Sequence, residues 1–404
     1  MIIKDKEYKI DRSLAKVTEW DKIYCEILKD ILNRGELSPN RTGIETLSIP
    51  NVNFSLDVGK EFPILETKKV AMQNSITELL WIYQAQSNDV SWLHERGNHI
   101  WDDWMIDSDG IYRIYNPFLK ENDGKSIEVK TQDGTSFDQT KIGEKLYAKS
   151  LKEDRSLDKV IYYGHEFAGT IGTAYGDVLK RTGQVDKVLD ALKNDPRSRR
   201  MVISLRQDNY LKTGVLEPCV WANSYKMYKG KLYSNVEIRS NDMPIGNPFN
   251  VTQYAVLLAL FSNHANLEVG EISFDITDCH IYVNQLKAIK LQLERYTRLL
   301  KWEKYIKEHD DMEVEREYND LISRREYLLD KIEKADYLKD DYEEIIREVN
   351  EEIMCFEHLI IREAPILYIA PNKEFYELDN KKDNDDIKIL KYTSLPYIKM
   401  PVAQ

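Results

Sequence analysis

A cysteine that directly follows a proline stands in GVLEPCVWANSY, residues 214–225. A thiol at Cys219 is either a buried small hydrophobe or a nucleophile, and its surroundings decide which. Candidate surroundings are scattered along the chain. DPRSRRM (195–201) sets Arg199 beside Arg200 just ahead of a strand-like run. Guanidinium groups make planar, bidentate contacts to phosphate oxygens. Arg41 stands in a loop between Asn40 and Gly43, and Arg239 is followed by the hydroxyl of Ser240. Singly, each is an ordinary surface or structural arginine; together they would clamp a small anion. DCHIYVN (278–284) puts His280 and Tyr282 two apart on one side of a strand, where they could hold hydroxyl groups. The bland alternative is a hydrogen-bonded core histidine. Asn250 in NPFNV offers a donor and an acceptor to the edge of a pyrimidine, or else caps a helix. Glu78 inside ITELLWIY is a carboxylate in an apolar helix. It is either held by a structural hydrogen bond or is a proton relay with a raised pKa.

The elements that must position these groups follow from periodicity. Residues 18–34 carry Ile23, Ile27 and Ile31 at helical spacing, and 70–86 read as one strongly apolar, buried helix. A helix over 185–195 ends at Pro196, and 251–266 form a buried apolar helix. MVISLR (201–206), YSNVEIRS (233–240), EISFDIT (271–277) and LSIPNVNFSL (47–56) read as strands. Residues 106–163 are polar and turn-rich, an irregular insertion decorating a core. In 286–362, apolar residues recur at three and four amid dense charge, with ADYLKDD (335–341) as the bend of a helical hairpin. A solvated pair that decorates the molecule is preferred there over a partner-binding coiled coil.

The whole chain sets bounds. It has 404 residues and a net charge of -12, from 57 Lys plus Arg against 69 Asp plus Glu. That balance argues against general nucleic-acid binding, though a few arginines can still converge on a small anion. Cys25, Cys219, Cys279 and Cys355 are scattered without a CxxC pair, so neither a disulfide framework nor a zinc ribbon is expected. The start, MIIKDKEYKIDRSL, has no apolar run of a signal peptide, and no stretch is long enough to span a membrane. A cytoplasmic setting is expected, in the host cytoplasm for a phage-encoded chain.

Taken in order, NRTGIETLSIP, FPILETKKV, ITELLWI, ERGNHIWDDW, AYG, DPRSRRM, EPCV, RSNDMPIGNPFNVTQYA, DCHIYVN and KMPVA resemble the thymidylate synthase family. The resemblance covers 20–104, 169–295 and 364–404. It implies an α/β (α+β) fold with a large mixed β-sheet flanked by helices, in one catalytic domain over 1–404. The segments at about 106–163 (irregular, polar) and about 296–362 (helical hairpin) would be its insertions. It also implies a homodimer in which each active site borrows Arg199 and Arg200 from the other subunit.

By the same resemblance Cys219 adds to C6 of dUMP, and C5 attacks the methylene carbon of 5,10-methylenetetrahydrofolate, the co-substrate. Loss of the C5 proton and of tetrahydrofolate leaves an exocyclic methylene, which hydride from the folate reduces to methyl. A thiolate suits both addition and departure, and a neighbouring cation favours it. The family's catalytic positions fall on Cys219, Glu78, Tyr175, Asn250 and Arg239. Its substrate ligands fall on Arg41, Arg199, Arg200, Ser240, Asp242, His280 and Tyr282, with Arg239 also at the phosphate. Its folate-side positions fall on Lys68, Trp101, Trp104, Leu216, Asp242, Ile245, Gly246, Phe249, Val402 and Ala403, in a tail PVAQ that closes over the folate. Asn250, where cytosine-specific relatives carry Asp, selects dUMP. No metal is implied.

The chain departs from the family at Val220, Arg206, Gln207, after Tyr175–Gly176, and at Pro244. Reductive methylation to dTMP is the leading expectation. A second reading has water capture the methylene to give 5-hydroxymethyl-dUMP and tetrahydrofolate, and a third has an inactive scaffold on the same fold.

Overall fold

The computed structural model describes residues 1–40, 43–115, 129–131, 157–334, 339–381 and 384–402. Arg41 and Ala403 lie outside the described residues. The helix expected near the start is α1, Glu19–Arg34, capped by Thr18, whose hydroxyl accepts from the Asp21 amide. After it come β1 (Glu36–Ser38) and β2 (Thr46–Asp57). Pro50 sits inside β2, which is tolerable because β1 pairs only with Thr46–Ser48 and leaves the rest of that edge open.

The single helix expected over 70–86 is instead α2 (Met72–Leu79) running into a π-helical turn, Leu80–Gln84. Apolar spacing does not distinguish the two, since both bury the same residues; such turns cluster at functional sites. The segment 106–163 also departs from expectation. β3 (Ile111–Tyr115), β4 (Val129–Thr131) and β5 (Leu157–Tyr162) form a three-stranded sheet. The β-branched and aromatic residues of IYRIY favour a strand, a signal hidden by the polar residues around it.

Next come α3 (Gly176–Thr182), α4 (Gln184–Asn194), β6 (Val202–Ser204), β7 (Val220–Tyr228), β8 (Lys231–Ile238), β9 (Asn241–Asp242), α5 (Gly246–His264) and β10 (Glu268–Tyr282). The main sheet is mixed, in the order β1-β2-β10-β8-β7-β6, with β9 also pairing β10. β8 and β9 run parallel to β10, and the other neighbours are antiparallel. Leu232, Ser234, Val236 and Ile238 turn one face of β8 inward, and the apolar residues of α5 belong to the same core. The opposite face is polar: Asn53, Ser55 and Asp275 are exposed there, and Ser55 and Ser273 share a hydroxyl hydrogen bond of 2.8 Å. Among the described residues no helix is long and apolar enough to cross a membrane.

Three helices follow: α6 (Leu286–Glu308), α7 (Asp311–Lys334) and α8 (Lys339–Ile361). The bend expected at 335–341 falls partly outside the described residues. The pair does more than decorate the surface. Phe356 of α8 is fully buried between Trp302 of α6 and Tyr318 of α7, at centroid distances of 4.9 and 5.6 Å. Just past α8, buried Arg362 donates from Nε to Glu66 Oε2 (2.6 Å) and from Nη2 to Glu61 Oε1 (3.2 Å). His358 Nε2 lies 3.1 Å from the same Glu66 oxygen. Glu66 and Thr67 in turn donate their backbone amides to Asp21 of α1, at 2.9 and 3.0 Å. The helical pair thus reaches the loop that leads into Lys68. Period-based reading missed this because the partners are 296 residues apart.

Removing one partner of a buried ion pair leaves the other charge uncompensated. Arg362→Leu is expected to lower unfolding free energy by about 3–5 kcal/mol, measured by denaturant titration. Glu66→Leu combined with Arg362→Leu is expected to recover much of that loss.

Candidate active site

Cys219 stands at the head of β7. Ile238 pairs with Val220 and Glu237 with Ala222, which leaves Trp221 as an unopposed bulge that re-aims the strand's start. The Arg239 amide donates to the Cys219 carbonyl at 3.0 Å. The Arg239 guanidinium donates to the carbonyls of Pro218 (3.0 Å) and Glu217 (2.9 Å), and its Nη2 lies 3.9 Å from the Cys219 sulfur. The cation is therefore fixed by carbonyls while its charge faces the thiol, which favours a thiolate. The other three cysteines are buried. Burial pushes the Cys279 and Cys355 thiols up to about 12, and Cys25 is also raised. Cys219 alone is half-exposed.

Tyr175 is hydrogen-bonded to the Cys219 backbone. Its φ of 44° and ψ of −105° are strained for a bulky residue, of order 1–3 kcal/mol. Gly176 holds the turn in place, since a Cβ there would stand 2.3 Å from the Ser87 carbonyl oxygen. Burial and then the nearby Cys219 raise the Tyr175 pKa, so its hydroxyl keeps its proton.

Glu78 is half-buried nearby. The Trp101 indole N–H donates to its Oε1 at 2.6 Å, and the Gln253 side-chain amide donates to its Oε2. Trp101 packs against Trp81, Trp104 and Tyr175 at 5.4 to 5.8 Å between ring centroids. Burial lifts Glu78 from 4.5 to about 7, against the two hydrogen bonds that favour the carboxylate.

At the other end, Asn250 in the first turn of α5 accepts through Oδ1 from Asn241 Nδ2 (2.9 Å), and Asn241 accepts from Asn247 (2.6 Å). That chain of amides fixes which way Asn250 presents its own N–H. His280 and Tyr282 lie on β10 with ring centroids 5.3 Å apart. Asp278 accepts from Ser48, from Ser240 (3.1 Å) and faces His280 Nδ1 (3.2 Å). Partial burial would raise the Asp278 pKa, but hydrogen bonds from His280, Ser48 and Ser240 bring it down to about 2.

Residues expected on the folate side also gather. Lys68 Nζ donates to the Pro244 carbonyl and lies 3.5 Å from Met400 Sδ. Burial lowers its pKa to about 8, against the Asp242 carboxylate. Asp242, raised by burial, accepts from the Ile245 amide and from Gln285, whose Nε2 also donates to the Pro401 carbonyl at 3.2 Å. Val402 is exposed beyond it. Gly246 and Phe249 follow Ile245 in the first turn of α5, while Leu216 and Trp104 are half-buried and pack on the core.

Arg199 and Arg200 are not brought to this centre. They are exposed on the loop before β6. Val202 pairs with Ser224, so they lie beyond a point five residues, about 17 Å of strand, from Cys219. Four positioning residues escaped the sequence reading: Asn241, Gln253, Asp278 and Gln285. Two carried a usable signal. Asp278 precedes His280 by two on the same strand face, and Gln253 follows Asn250 by three on the same helix face.

A model of the thymidylate synthase family matches residues 22–328. The thymidylate synthase of Clostridium beijerinckii is 34% identical over 276 residues, 68% of this chain and 82% of that protein. That of Bacillus phage phi3T is 35% identical over 289 residues, 69% of this chain and 85% of that protein. The solved thermostable thymidylate synthase A from Bacillus subtilis superposes with a TM-score of 0.56 at 28% identity, covering 93% of this chain and 96% of that one.

Glu78 yields a test through pH. Between about 4.5 and 7 the native state holds a proton that the unfolded chain releases, so stability falls as pH rises through that window. Glu78→Gln removes the dependence. Relative to the unmodified protein it is expected to gain about 2–3 kcal/mol of unfolding free energy between pH 5 and pH 8 in denaturant melts.

Proposed function

Because this chain belongs to the thymidylate synthase family, we propose that it transfers the one-carbon unit of 5,10-methylenetetrahydrofolate to C5 of dUMP and releases dTMP and dihydrofolate. The observation that carries the residue-level reading is the pairing of the one half-exposed cysteine with a guanidinium at 3.9 Å. Cys219 adds to C6 of the uracil and leaves at the end. Arg239 steadies the thiolate and faces the phosphate together with Ser240 and Arg41. Asn250 presents its N–H to O4 and its remaining lone pair to N3–H, with its amide held by Asn241. His280, oriented by Asp278, and Tyr282 take the ribose hydroxyl. Glu78, half-protonated near neutral pH, moves protons about O4 through ordered water, and Tyr175, its hydroxyl protonated, belongs to the hydrogen-bonded network through which the C5 proton leaves.

The folate supplies the carbon and, in the reductive outcome, the hydride. Trp101, Trp104, Leu216, Ile245, Gly246 and Phe249 wall its ring, with Lys68 and Asp242 as polar contacts. The tail through Val402 and Ala403 closes over it, tethered at Met400 and Pro401. The relatives' shared name favours reduction over capture by water. Nothing in the reaction calls on a metal.

A second copy of the chain completes the site. Arg199 and Arg200 reach the phosphate of the other subunit, and the polar sheet face is where two copies meet. The catalytic unit spans 1–404, with 106–163 and 296–362 as insertions. Four cysteines with no disulfide between them fit a cytoplasmic setting, or host cytoplasm for a phage-encoded chain.

The direct test incubates the protein with dUMP and methylenetetrahydrofolate and weighs the nucleotides by mass spectrometry. dTMP with equal dihydrofolate is expected; 5-hydroxymethyl-dUMP would overturn the reductive step. Cys219→Ser is expected to abolish turnover. Arg199→Ala/Arg200→Ala is expected to do the same alone and to regain partial activity when mixed with Cys219→Ser. No recovery on mixing would refute the shared site.

A further inference from the structure

We propose that His94, His99 and Asp102 form a binding site for a divalent transition-metal ion, outside the reacting centre. One ligand atom from each lies within 4.8 Å of the others. His94 Nε2 is 2.6 Å from Asp102 Oδ1, and His99 Nδ1 is 3.0 Å from Asp102 Oδ2. Neighbouring ligands on an ion with bonds of about 2.1 Å stand about 3.0–3.5 Å apart, so small side-chain shifts would seat one. The two imidazoles are stacked at 4.7 Å and 26° between planes, an arrangement that turns both toward one carboxylate.

Two imidazole nitrogens and one carboxylate select zinc, cobalt or nickel over magnesium or calcium, which prefer all-oxygen sites. The side chains are 35%, 64% and 43% exposed, so water can complete the coordination.

The backbone between the ligands is already set. His94 ends the helical turn Ser91–His94, and Gly97 at φ 68° reverses the chain. Buried Asn98 then anchors the loop: its Nδ2 donates to the Asn74 carbonyl (3.0 Å), its Oδ1 accepts from Ile100 N (3.2 Å), and its amide donates to the Leu93 carbonyl (3.0 Å). Asp102 follows Trp101, whose indole holds Glu78. An ion here braces the outer side of the segment whose inner side walls the active site.

Two histidines sharing a carboxylate by hydrogen bonds alone would give the same static picture, and the experiment separates the two. Untagged, chelator-stripped protein is titrated calorimetrically with Zn²⁺. Co²⁺ is followed by its visible ligand-field bands, and the ion is located by anomalous scattering in crystals. One ion per chain at these residues is expected, with a higher melting temperature on Zn²⁺ addition. His99→Ala and His94→Ala are each expected to weaken binding by at least about tenfold and to remove the thermal shift, whereas His165→Ala changes neither. No binding at millimolar Zn²⁺, or equal binding in the His99→Ala and His94→Ala proteins, would overturn the proposal.

Discussion

A half-buried carboxylate set among aromatic rings needs donors, and Glu78 has two, each from a different part of the molecule. Trp101 brings the 98–104 segment against it, and Gln253 brings α5. Neither element can withdraw without leaving a carboxylate oxygen unpartnered, at a cost of about 1–3 kcal/mol or more for a charged group. The apolar packing around it follows from the same constraint. Trp81, Trp104 and Tyr175 pack around the Trp101 indole, and the π-helical turn that carries Trp81 belongs to that packing. The competition between burial and hydrogen bonding then leaves the group near neutrality, where it can both give and take a proton.

The Cys219 thiol sits in a complementary arrangement. Arg239 spends its hydrogen bonds on the carbonyls of Glu217 and Pro218, so its position is fixed with no carboxylate among the described residues paired to it. A bulge at Trp221 sets the direction of the strand at that point. Guanidinium and thiol are therefore built into one turn, while Asn250 and the His280–Tyr282 pair come from α5 and β10.

Much of this was legible from the chain. Cys219, Asn250, His280 and Glu78 fall in runs whose order carries the family resemblance, and the strands and helices beneath them follow from period-two and period-3.6 spacing. What was not legible was the choice of hydrogen-bond partner. Asn241 holding Asn250, and Gln285 bridging Asp242 to Pro401, depend on how separate elements dock. The three-stranded sheet over 111–162 was hidden because its strands are short and set in polar sequence. Arg199 and Arg200 read as part of a clamp, yet one chain leaves them at the far end of β7.

The contact of Arg362 and His358 with Glu66 restricts which substitutions the chain can accept. Glu66 lies two residues before Lys68, so the helical pair and the segment carrying Lys68 share a buried charge. Once such a contact exists, neither side drifts freely. A lineage that shortened the hairpin would first have to replace Glu66, and one that replaced Glu66 would strand the arginine. Each partner thus constrains the mutations open to the other, and the helical segment and Glu66 would have to change together.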